Sequence, residues 1–459
     1  MEVWPPTKFR AGLTKGDQLN RLRAEIRERR AAGYVLRDGI EDEIASLQSA
    51  PEDEQLAASA RIWDEVESSA VADDFPYNEP SSLPDIRALR PPGPRILKLE
   101  LSDEELSSRI RGGWLGRCAG CLLGKPAERP WWTKQGINDF LTTHGAYPLS
   151  NYFPAVAEMP EGMEYYPSEV PNPENPCLLE NITMMPRDDD IDYTILNLLL
   201  LEQLGPDFTS LNVGQMWLSK LPAAAVFGAA RTAYKNLLLG LEPPETVTYR
   251  NPHSEYIGAQ IRADMFGYVC PGWPEKAAEL AFRDAALDTL RNGIYGEMAI
   301  AAMIATAFVE TDPRKVIEAG LQEIPQSCRY AEAIRRCLDW HAEIPDWEQA
   351  AETALAETKL NVAMNAALSF LGLLYGNGDF EKTICLAVMG GMDTDCNGAT
   401  AGSIAGVMLG ADRIPPKWAS PLNDTIQSFI AGVGKGSIED FAARTIRVAK
   451  EVLRLRKGA

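Results

Sequence analysis

The sequence predicts an all-α protein, and two observations carry this prediction. Apolar residues recur at helical spacing in one segment after another, and the alternating patterns typical of strands are nearly absent. Apolar residues make up 45% of the 459 residues, which is enough for a large buried core. We therefore expect helices that pack on one another around that core.

The first hundred residues are predicted to be a helical extension, separate from a main domain over residues 101–459. Charged helical patterns cover residues 17–30 and 41–71, and Pro51 interrupts the second of them. Further prolines between residues 80 and 94 break regular structure. We therefore expect residues 1–100 to form a helical unit that ends in a proline-rich linker.

Helix signals continue through the rest of the chain. Ser102, followed three residues later by Glu105, is typical of a capping box and marks the start of the first helix of the domain. An apolar helix is expected from the aspartates at 188–190 through Leu204. The other expected helices lie at 210–219, 223–240, 275–309, 313–323, 326–342, 347–357, 361–375, 379–389, 398–410, 422–432 and 438–456.

The formal net charge of −20 argues against binding to nucleic acid and against docking on anionic membranes. No apolar segment of membrane-spanning length is visible, and residues 1–15 lack the pattern of a secretion signal. The eight cysteines are scattered. Only Cys118 and Cys121 have C-x-x-C spacing, within an apolar helical pattern that indicates core. We expect a cytoplasmic protein with free thiols.

Two segments carry glycines at intervals of four residues. A glycine inside a helix is about 1 kcal/mol less favourable than an alanine, so a repeated glycine needs a structural reason. A spacing of four keeps the glycines near one helix face, where a neighbouring backbone can approach closely. The glycines in question are Gly112, Gly116, Gly120 and Gly124 in the first segment, and Gly398, Gly402, Gly406 and Gly410 in the second.

Two acidic clusters stand at predicted helix starts. One is the run Asp188, Asp189 and Asp190, and the other is Asp393 and Asp395 in a glycine-rich turn. A single aspartate at a helix N-terminus is usually a cap, but only one residue of a cluster can cap. Neighbouring carboxylates repel each other unless a cation or a proton separates them. The pattern therefore favours a hard divalent cation held by oxygen ligands.

Other chemistries fit these motifs less well. The second cluster begins like a calcium loop, but Ile404 occupies the twelfth position, where a glutamate is needed. An Asp-x-Asp phosphatase would need a parallel sheet, which the sequence does not predict. Three histidines are too few and too scattered for a zinc site or a Ser-His-Asp triad. Acid/base chemistry would then fall to carboxylates, namely Glu128, the clustered aspartates, Asp264 and Glu297.

Residues 130–186 show little helical period and are rich in aromatic residues. Long irregular segments inside compact domains are usually functional or mobile. Two interpretations stay open, because these rings could wall a binding cleft or could simply pack together. The six aromatic residues are Trp131, Trp132, Tyr152, Phe153, Tyr165 and Tyr166.

Three segments together resemble the ADP-ribosylglycohydrolase family. Residues 111–128 resemble its first glycine-rich helix and the glutamate that follows, here Glu128. Residues 188–190 fall where the family has Thr-Asp-Asp, and residues 391–396 fall where it has Gly-x-Asp-x-Asp-Thr. Further similar segments lie at 261–264, 271–281 and 292–298.

This resemblance implies an orthogonal helical bundle as the catalytic domain over 101–459. The implied activity is hydrolysis of the glycosidic bond at the ribose anomeric carbon of an ADP-ribosyl or related ribosyl substrate, free or on a modified protein. The implied cofactor is Mg²⁺, as two ions, with Mn²⁺ or Ca²⁺ as alternatives. The implied metal ligands are Asp188, Asp189, Asp190, Asp393, Asp395 and Cys396. The implied catalytic residues are Glu128, Asp189 and Asp395, and substrate contacts are expected at Asn397, Gly293, Tyr295 and Asp264.

The chain departs from the family pattern at several positions. Cys396 replaces a threonine hydroxyl, and a thiol is a poor ligand for Mg²⁺, which leaves the number of metals open. Asp188 also replaces a threonine, and Thr289 stands where many relatives carry a histidine. Two alternatives therefore remain: a hydrolase of small furanosides or nucleoside-like glycosides, and a non-catalytic ADP-ribose-binding protein. The sequence leaves the leaving group, the role of residues 1–100 and the oligomeric state open.

Overall fold

The structure is a computed structural model that describes residues 15–128, 132–166 and 174–456, and it confirms the all-α prediction. These residues form 21 α-helices and two strands of three residues each. The absence of a secretion signal was predicted on residues that lie almost wholly outside the described ranges. The α-helices of the extension and linker are Lys15–Ala31, Ile40–Ser46, Glu52–Glu67 and Leu83–Leu89.

The main domain contains the remaining helices. Its α-helices are Asp103–Gly124, Lys134–Thr143, Asp189–Leu204, Ser210–Lys220, Gly228–Leu238, Glu245–Thr248, Asp264–Tyr268, Pro274–Ala285, Asn292–Ala307, Pro313–Leu321, Arg329–Glu343, Trp347–Glu357, Asn361–Gly376, Phe380–Met389, Thr394–Leu409, Pro416–Ala419 and Ile438–Arg456. Single 3₁₀ turns lie at Leu47–Ser49, Lys125–Ala127, Gly205–Asp207, Ala223–Ala225, Gln260–Arg262, Ala411–Arg413 and Ser420–Leu422.

Two of these helices form the centre of the domain, and we call them the first glycine helix (Asp103–Gly124) and the second glycine helix (Thr394–Leu409). Their glycine stripes face each other, as the sequence predicts. A Cβ added to Gly120 would overlap the carbonyl oxygen of Gly398, and a Cβ on Gly116 would overlap that of Gly402. The two backbones therefore touch directly along their length, which only glycine permits.

The first glycine helix is fixed at both ends. The predicted capping box is present, because Ser102 accepts a hydrogen bond from the backbone of Glu105 and the Glu105 side chain accepts one from Ser102. Near the middle of the helix, the indole of Trp114 donates to Thr445 at 3.0 Å and stacks on Phe441 of the C-terminal helix. At its far end the helix stops at Gly124, and one 3₁₀ turn, Lys125–Ala127, leads to Glu128.

The extension has a small apolar cluster of its own, built from residues between Leu19 and Val66, while the large core begins at Ile86. The domain boundary near residue 100 stays a prediction. Ion pairs join the linker to the domain: Arg329 binds Glu79 at 2.7 Å. The linker arginines Arg90 and Arg95 both bind the fully buried Glu323, at 2.6 and 3.0 Å.

The predicted helix over 422–432 is wrong. Asn423 and Asp424 have positive φ angles of 46° and 48°, which end the helical path. The chain then forms the strand Thr425–Gln427, which pairs with the antiparallel strand Lys435–Ser437. Met185, distant in sequence, also exchanges backbone hydrogen bonds with this first strand. The secondary structure of this segment therefore depends on residues outside it, including one that is distant in sequence.

The predicted helix over 275–309 is two helices. The break lies between Ala285 and Asn292, where Arg291 has a φ of 44°. At this break the Arg291 guanidinium forms an ion pair with the buried Glu255. The predicted helix over 223–240 is likewise shorter, because it begins only at Gly228.

The aromatic residues of the irregular segment mostly pack on one another. Trp132 stacks on Tyr165 with ring centroids 5.6 Å apart, and both lie against Phe140. Tyr152 and Phe153 are also buried. Packing is therefore the better interpretation for Trp132, Tyr152, Phe153 and Tyr165. Tyr166 instead lies beside the Lys125 ammonium, 5.0 Å from its ring centre, and Trp131 lies outside the described residues.

No helix in the described ranges is both long enough and apolar enough to cross a membrane. All eight cysteines are buried and unpaired, as the sequence analysis expects. Cys118 lies in the core, and Cys121 has a second environment that is described below.

Candidate functional site

The turn before the second glycine helix has a strained backbone. Gly391 has a φ of 77°, and a Cβ there would meet the backbone of Lys134, while Met392 adopts a φ of 65°. Asp393 then occupies the N-cap position without making a side-chain capping hydrogen bond. Its backbone N–H donates to the Asn365 amide oxygen at 3.2 Å. The Asp393 carboxylate is therefore not used as a helix cap.

The first acidic cluster is arranged differently. Asp188 is the N-cap of the helix Asp189–Leu204, and its carboxylate accepts the backbone N–H of Asp190 at 2.9 Å. Asp188 and Asp190 are buried, whereas Asp189 is half-buried. The capping interpretation thus holds for one of the three aspartates and leaves the other two to be explained.

The two acidic clusters meet at the end of the first glycine helix. Ligand atoms of Cys121, Asp188, Asp190 and Asp395 all lie within 4.8 Å of one another. A second group with the same spacing consists of Asp393, Asp395 and Cys396, and Asp395 belongs to both groups. We call the six residues of the two groups the acidic centre: Cys121, Asp188, Asp190, Asp393, Asp395 and Cys396. This could hold a metal ion.

Two buried basic residues contact the first group. Lys125 forms an ion pair with Asp188, with the two side chains only 6% and 1% exposed. Arg117 is fully buried and binds the Asp190 carboxylate at 3.0 Å and the Asp264 carboxylate at 2.6 Å. The Cys396 thiol donates to the other Asp190 oxygen at 3.1 Å.

These contacts shift the pKa values of Asp188, Asp189 and Asp190 in different directions. Burial alone would raise the pKa of Asp188, but Lys125 and Arg187 outweigh it and lower the pKa. Burial and the Asp188 charge raise the pKa of Asp189 to about 6. Burial raises the pKa of Asp190 well above its usual range, despite the opposing charge of Arg117.

The second cluster and Glu128 have raised pKa values in the absence of a cation. Burial raises the pKa of Asp395, and the charges of Glu128, Asp188 and Asp393 raise it further. Burial also raises the pKa of Glu128 to about 8, against the opposing charge of Lys125, with Asp393 adding to the rise. Glu128 retains partial exposure. Crowded carboxylates of this kind bind a proton or a cation.

Polar residues behind the second cluster hold its backbone. The Asn397 amide donates to the Asn365 amide oxygen at 3.1 Å and to the Gly391 carbonyl at 3.3 Å. The Thr394 hydroxyl donates to the Gly124 carbonyl at 2.8 Å, across to the first glycine helix. Asn397 is completely buried, so these contacts give it a positioning role. Its predicted substrate contact stays a prediction.

Asp264 and Glu297, considered above for acid/base work, belong to buried networks. Asp264 binds Arg117, and Arg117 also binds Asp190. Arg117 therefore connects Asp264 to the acidic centre. Glu297 lies 3.7 Å from Arg262 and shares that arginine with other buried carboxylates. Burial and the charge of Asp284 raise the pKa of Glu297 well above its usual range.

Tyr295 contacts the linker, and Gly293 lies beside Ser254, which lines a separate cavity. The Tyr295 hydroxyl donates to the Pro80 carbonyl, and a Cβ on Gly293 would meet the Ser254 carbonyl. Their predicted substrate contacts stay predictions. The cavity encloses about 560 Å³ between the extension and the domain. Its lining includes Glu25, Glu28, Tyr34, Glu67, Ser254, Glu255 and Arg291, and no residue of the acidic centre.

The carboxylates of Asp393 and Asp395 in the second group fit a hard divalent cation. Asp395 Oδ1 is buried and has no hydrogen-bond partner within the described part of the chain. The carboxylates of Asp393 and Asp395 approach each other closely, and carboxylate oxygens are the ligands that Mg²⁺, Mn²⁺ and Ca²⁺ prefer.

The comparison with protein families gives a clear match. The family described as ADP-ribosylglycohydrolase matches residues 102–454. The chain belongs to the ADP-ribosylglycohydrolase family. One solved structure, described as an ADP-ribosylglycohydrolase-related protein complex, shares 20% identity with a TM-score of 0.49. That alignment covers 76% of this chain and 99% of the other. No curated protein sequence matches this chain.

Three residues at the site of this ADP-ribosylglycohydrolase family member were missed by the sequence analysis. The sequence pattern predicts Cys121 as core and assigns no role to Arg117 or Lys125. Arg117 and Cys121 are four residues apart on the first glycine helix, and Lys125 follows four residues later in the 3₁₀ turn. That shared spacing, at the helix end that leads to Glu128, was the available signal.

Proposed function

We propose that this protein is a metal-dependent glycohydrolase that cleaves the glycosidic bond at the ribose anomeric carbon of an ADP-ribosyl or related ribosyl compound. One observation carries the proposal: the two acidic clusters, far apart in sequence, converge at the C-terminal end of the first glycine helix, beside Glu128. Membership of the ADP-ribosylglycohydrolase family supports the hydrolase class. Mg²⁺ is the proposed cation, with Mn²⁺ or Ca²⁺ as substitutes.

Asp393 and Asp395 would hold the cation, because their carboxylates have no basic partner in the described ranges. When bound, a divalent cation would orient ribose hydroxyls and make a water more acidic. Glu128 and Asp189 keep partial exposure, unlike Asp188 and Asp190, so they can exchange protons with a substrate and with water. We assign Glu128 to protonating the leaving group and Asp189 to accepting the proton of the attacking water.

The first experiment measures cation binding by thermal unfolding. Saturating Mg²⁺ or Mn²⁺, at about 100 times its Kd, is expected to stabilise the protein by about 2.7 kcal/mol. Asp393→Ala and Asp395→Ala should remove that stabilisation. Asp207→Ala changes an exposed aspartate in the turn Gly205–Asp207 and is the matched control, which should respond as the wild type does. A wild type that responds to neither cation contradicts the proposal.

The second experiment identifies the substrate. The protein is incubated with ADP-ribosyl-arginine, ADP-ribosyl-serine and simple ribosides, and the products are identified by mass spectrometry. Release of ADP-ribose supports the proposal. Cleavage of simple ribosides alone would replace it with a small-furanoside hydrolase, and binding of ADP-ribose without any cleavage would replace it with a binding protein.

We also propose a reducing compartment such as the cytoplasm. All eight cysteines are unpaired and buried, which fits a compartment where disulfides are rare. Fractionation of the native host, with detection of this chain by antibody, tests this assignment.

A further inference from the structure

The two ligand groups of the acidic centre differ in one respect: among the described residues, basic side chains form ion pairs with carboxylates of the first group alone. We propose that Lys125 is a built-in counter-ion of the first group and that this chain therefore holds one divalent ion, at Asp393 and Asp395, instead of two. This inference rests on the proposed function, because it concerns the cation of the same site.

Each carboxylate oxygen of Asp188 already accepts a hydrogen bond. One carboxylate oxygen accepts the backbone N–H of Asp190 at 2.9 Å, and the other is bound by Lys125. The Lys125 ammonium also lies 5.0 Å from the centre of the Tyr166 ring, which favours a cation there. Both members of the Lys125–Asp188 pair are almost completely buried, so solvent does not weaken their attraction.

Each carboxylate oxygen of Asp190 likewise accepts a hydrogen bond. Arg117 binds one of its carboxylate oxygens at 3.0 Å, and the Cys396 thiol donates to the other at 3.1 Å. Arg117 also donates to the Asp190 carbonyl at 2.8 Å, so the guanidinium is held in place from two directions. Asp395 belongs to both groups, so the third residue that belongs to the first group alone is Cys121. Its sulfur is a poor ligand for a hard cation.

A divalent ion in the first group would therefore stand beside two fixed positive charges, with few free oxygen ligands. Like charges in a buried site repel strongly. Removal of Lys125 from Asp188 would in turn bury an ammonium without a partner, which is very unfavourable.

The second group lacks these cations. Neither Asp393 nor Asp395 forms an ion pair with a basic side chain in residues 15–128, 132–166 and 174–456. Asp393 makes no capping hydrogen bond, and Asp395 Oδ1 is buried without a partner. This orphaned oxygen, next to a second carboxylate within ligand distance, is the position that needs a cation.

The experiment counts bound Mn²⁺ per chain by isothermal titration and by electron paramagnetic resonance of free Mn²⁺. We expect one ion for the wild type. Lys125→Met removes the ammonium, and we expect this variant to bind a second ion. Lys134→Met is the matched control: Lys134 is equally buried, at 7% exposure, but pairs with Glu348 and Glu352, so its count should stay at one.

The wild-type count decides the inference even if Lys125→Met fails to fold. Two ions per wild-type chain would overturn it and leave the proposed function standing, whereas no bound ion would contradict the metal dependence itself. A crystal of the Mn²⁺-loaded wild type gives an independent count by anomalous scattering. One peak at Asp393 and Asp395, with Lys125 still on Asp188, is expected, and a peak bound to Asp188 and Asp190 overturns the inference.

Discussion

Gly116 and Gly402 face each other so closely that a Cβ on either residue would overlap the carbonyl oxygen of the other. The same contact repeats one turn away between Gly120 and Gly398. The obstacle in each case is backbone, which cannot move aside as a flexible side chain can. The distance between the two glycine helices is therefore set by the absence of side chains.

Gly402→Ala should be strongly destabilising for this reason. The added methyl group forces the helices apart, and we expect a loss of about 3 kcal/mol or more in the free energy of unfolding. Urea denaturation followed by circular dichroism measures it. Gly258→Ala is the control, because nothing lies within 4 Å of a Cβ there and its φ is not positive. Equal stability of the two variants would contradict the direct backbone contact.

Arg262→Met should destabilise the domain through unpaired buried charge. The Arg262 guanidinium binds Asp284 and also Asp288, at 2.7 Å, and all three side chains are fully buried. Removal of one partner from such a network costs about 3–5 kcal/mol. Lys450→Met, which breaks the exposed pair with Asp103, should change the unfolding free energy by less than about 1 kcal/mol. If both substitutions lowered the unfolding free energy by similar amounts, the claim that burial makes the Arg262 network more important would be wrong.

Stability should fall in acid partly through Glu255. Burial alone would raise the pKa of Glu255, but Arg291 and Arg329 and the Asn292 amide lower it below its ordinary value of 4.5. A lowered folded-state pKa gives stability that is complete above the unfolded pKa and is lost as pH falls through the folded pKa.

The test compares Glu255→Gln with the wild type between pH 7 and pH 4. At pH 7 the variant should be about 3 kcal/mol less stable, because two arginines lose a buried partner. The difference should begin to shrink below about pH 4.5 as the wild-type carboxylate is protonated. Glu41→Gln, at an exposed pair with Arg30, is the control and should show little difference at any pH. A pH-independent difference for Glu255 would exclude its titration as the cause.

Glu128→Gln should lower kcat without unfolding the protein. Glutamine keeps the size of the side chain but cannot donate the same proton, and loss of a general acid typically lowers rates by about 100- to 10,000-fold. Glu164→Gln, at an exposed position in the same irregular region, should keep wild-type turnover. Steady-state kinetics on the substrate found in the panel above gives both values. Retained turnover in Glu128→Gln would remove this residue from the proton-transfer role.

The sequence allowed the central packing to be predicted because its signal is local. Glycines four residues apart, as from Gly112 to Gly124, share a helix face whatever surrounds them. The capping box at Ser102 and the turn at Asp393 are local in the same sense. Glu128 and both aspartate clusters were likewise identified from short motifs, although their substrate and catalytic roles still need the experiments above.

The features that escaped prediction depend on contacts between distant parts of the chain. Lys125 can pair with Asp188 only after the segments that carry them have packed together in the fold. The sequence around residue 125 contains no local pattern that indicates this ion pair. The helix predicted over 422–432 is wrong for the same reason, since the strand Thr425–Gln427 has a bridge to Met185, which is even farther away in sequence. Apolar pattern alone cannot separate a short buried strand from a helix segment.

The backbone contact between the glycine helices has a consequence for the acidic centre. Asp395 lies in the first turn of one of these helices and Cys121 lies near the end of the other, so their docking also brings these two site residues together. A change that separates the two helices is therefore expected to separate Cys121 from Asp395 as well.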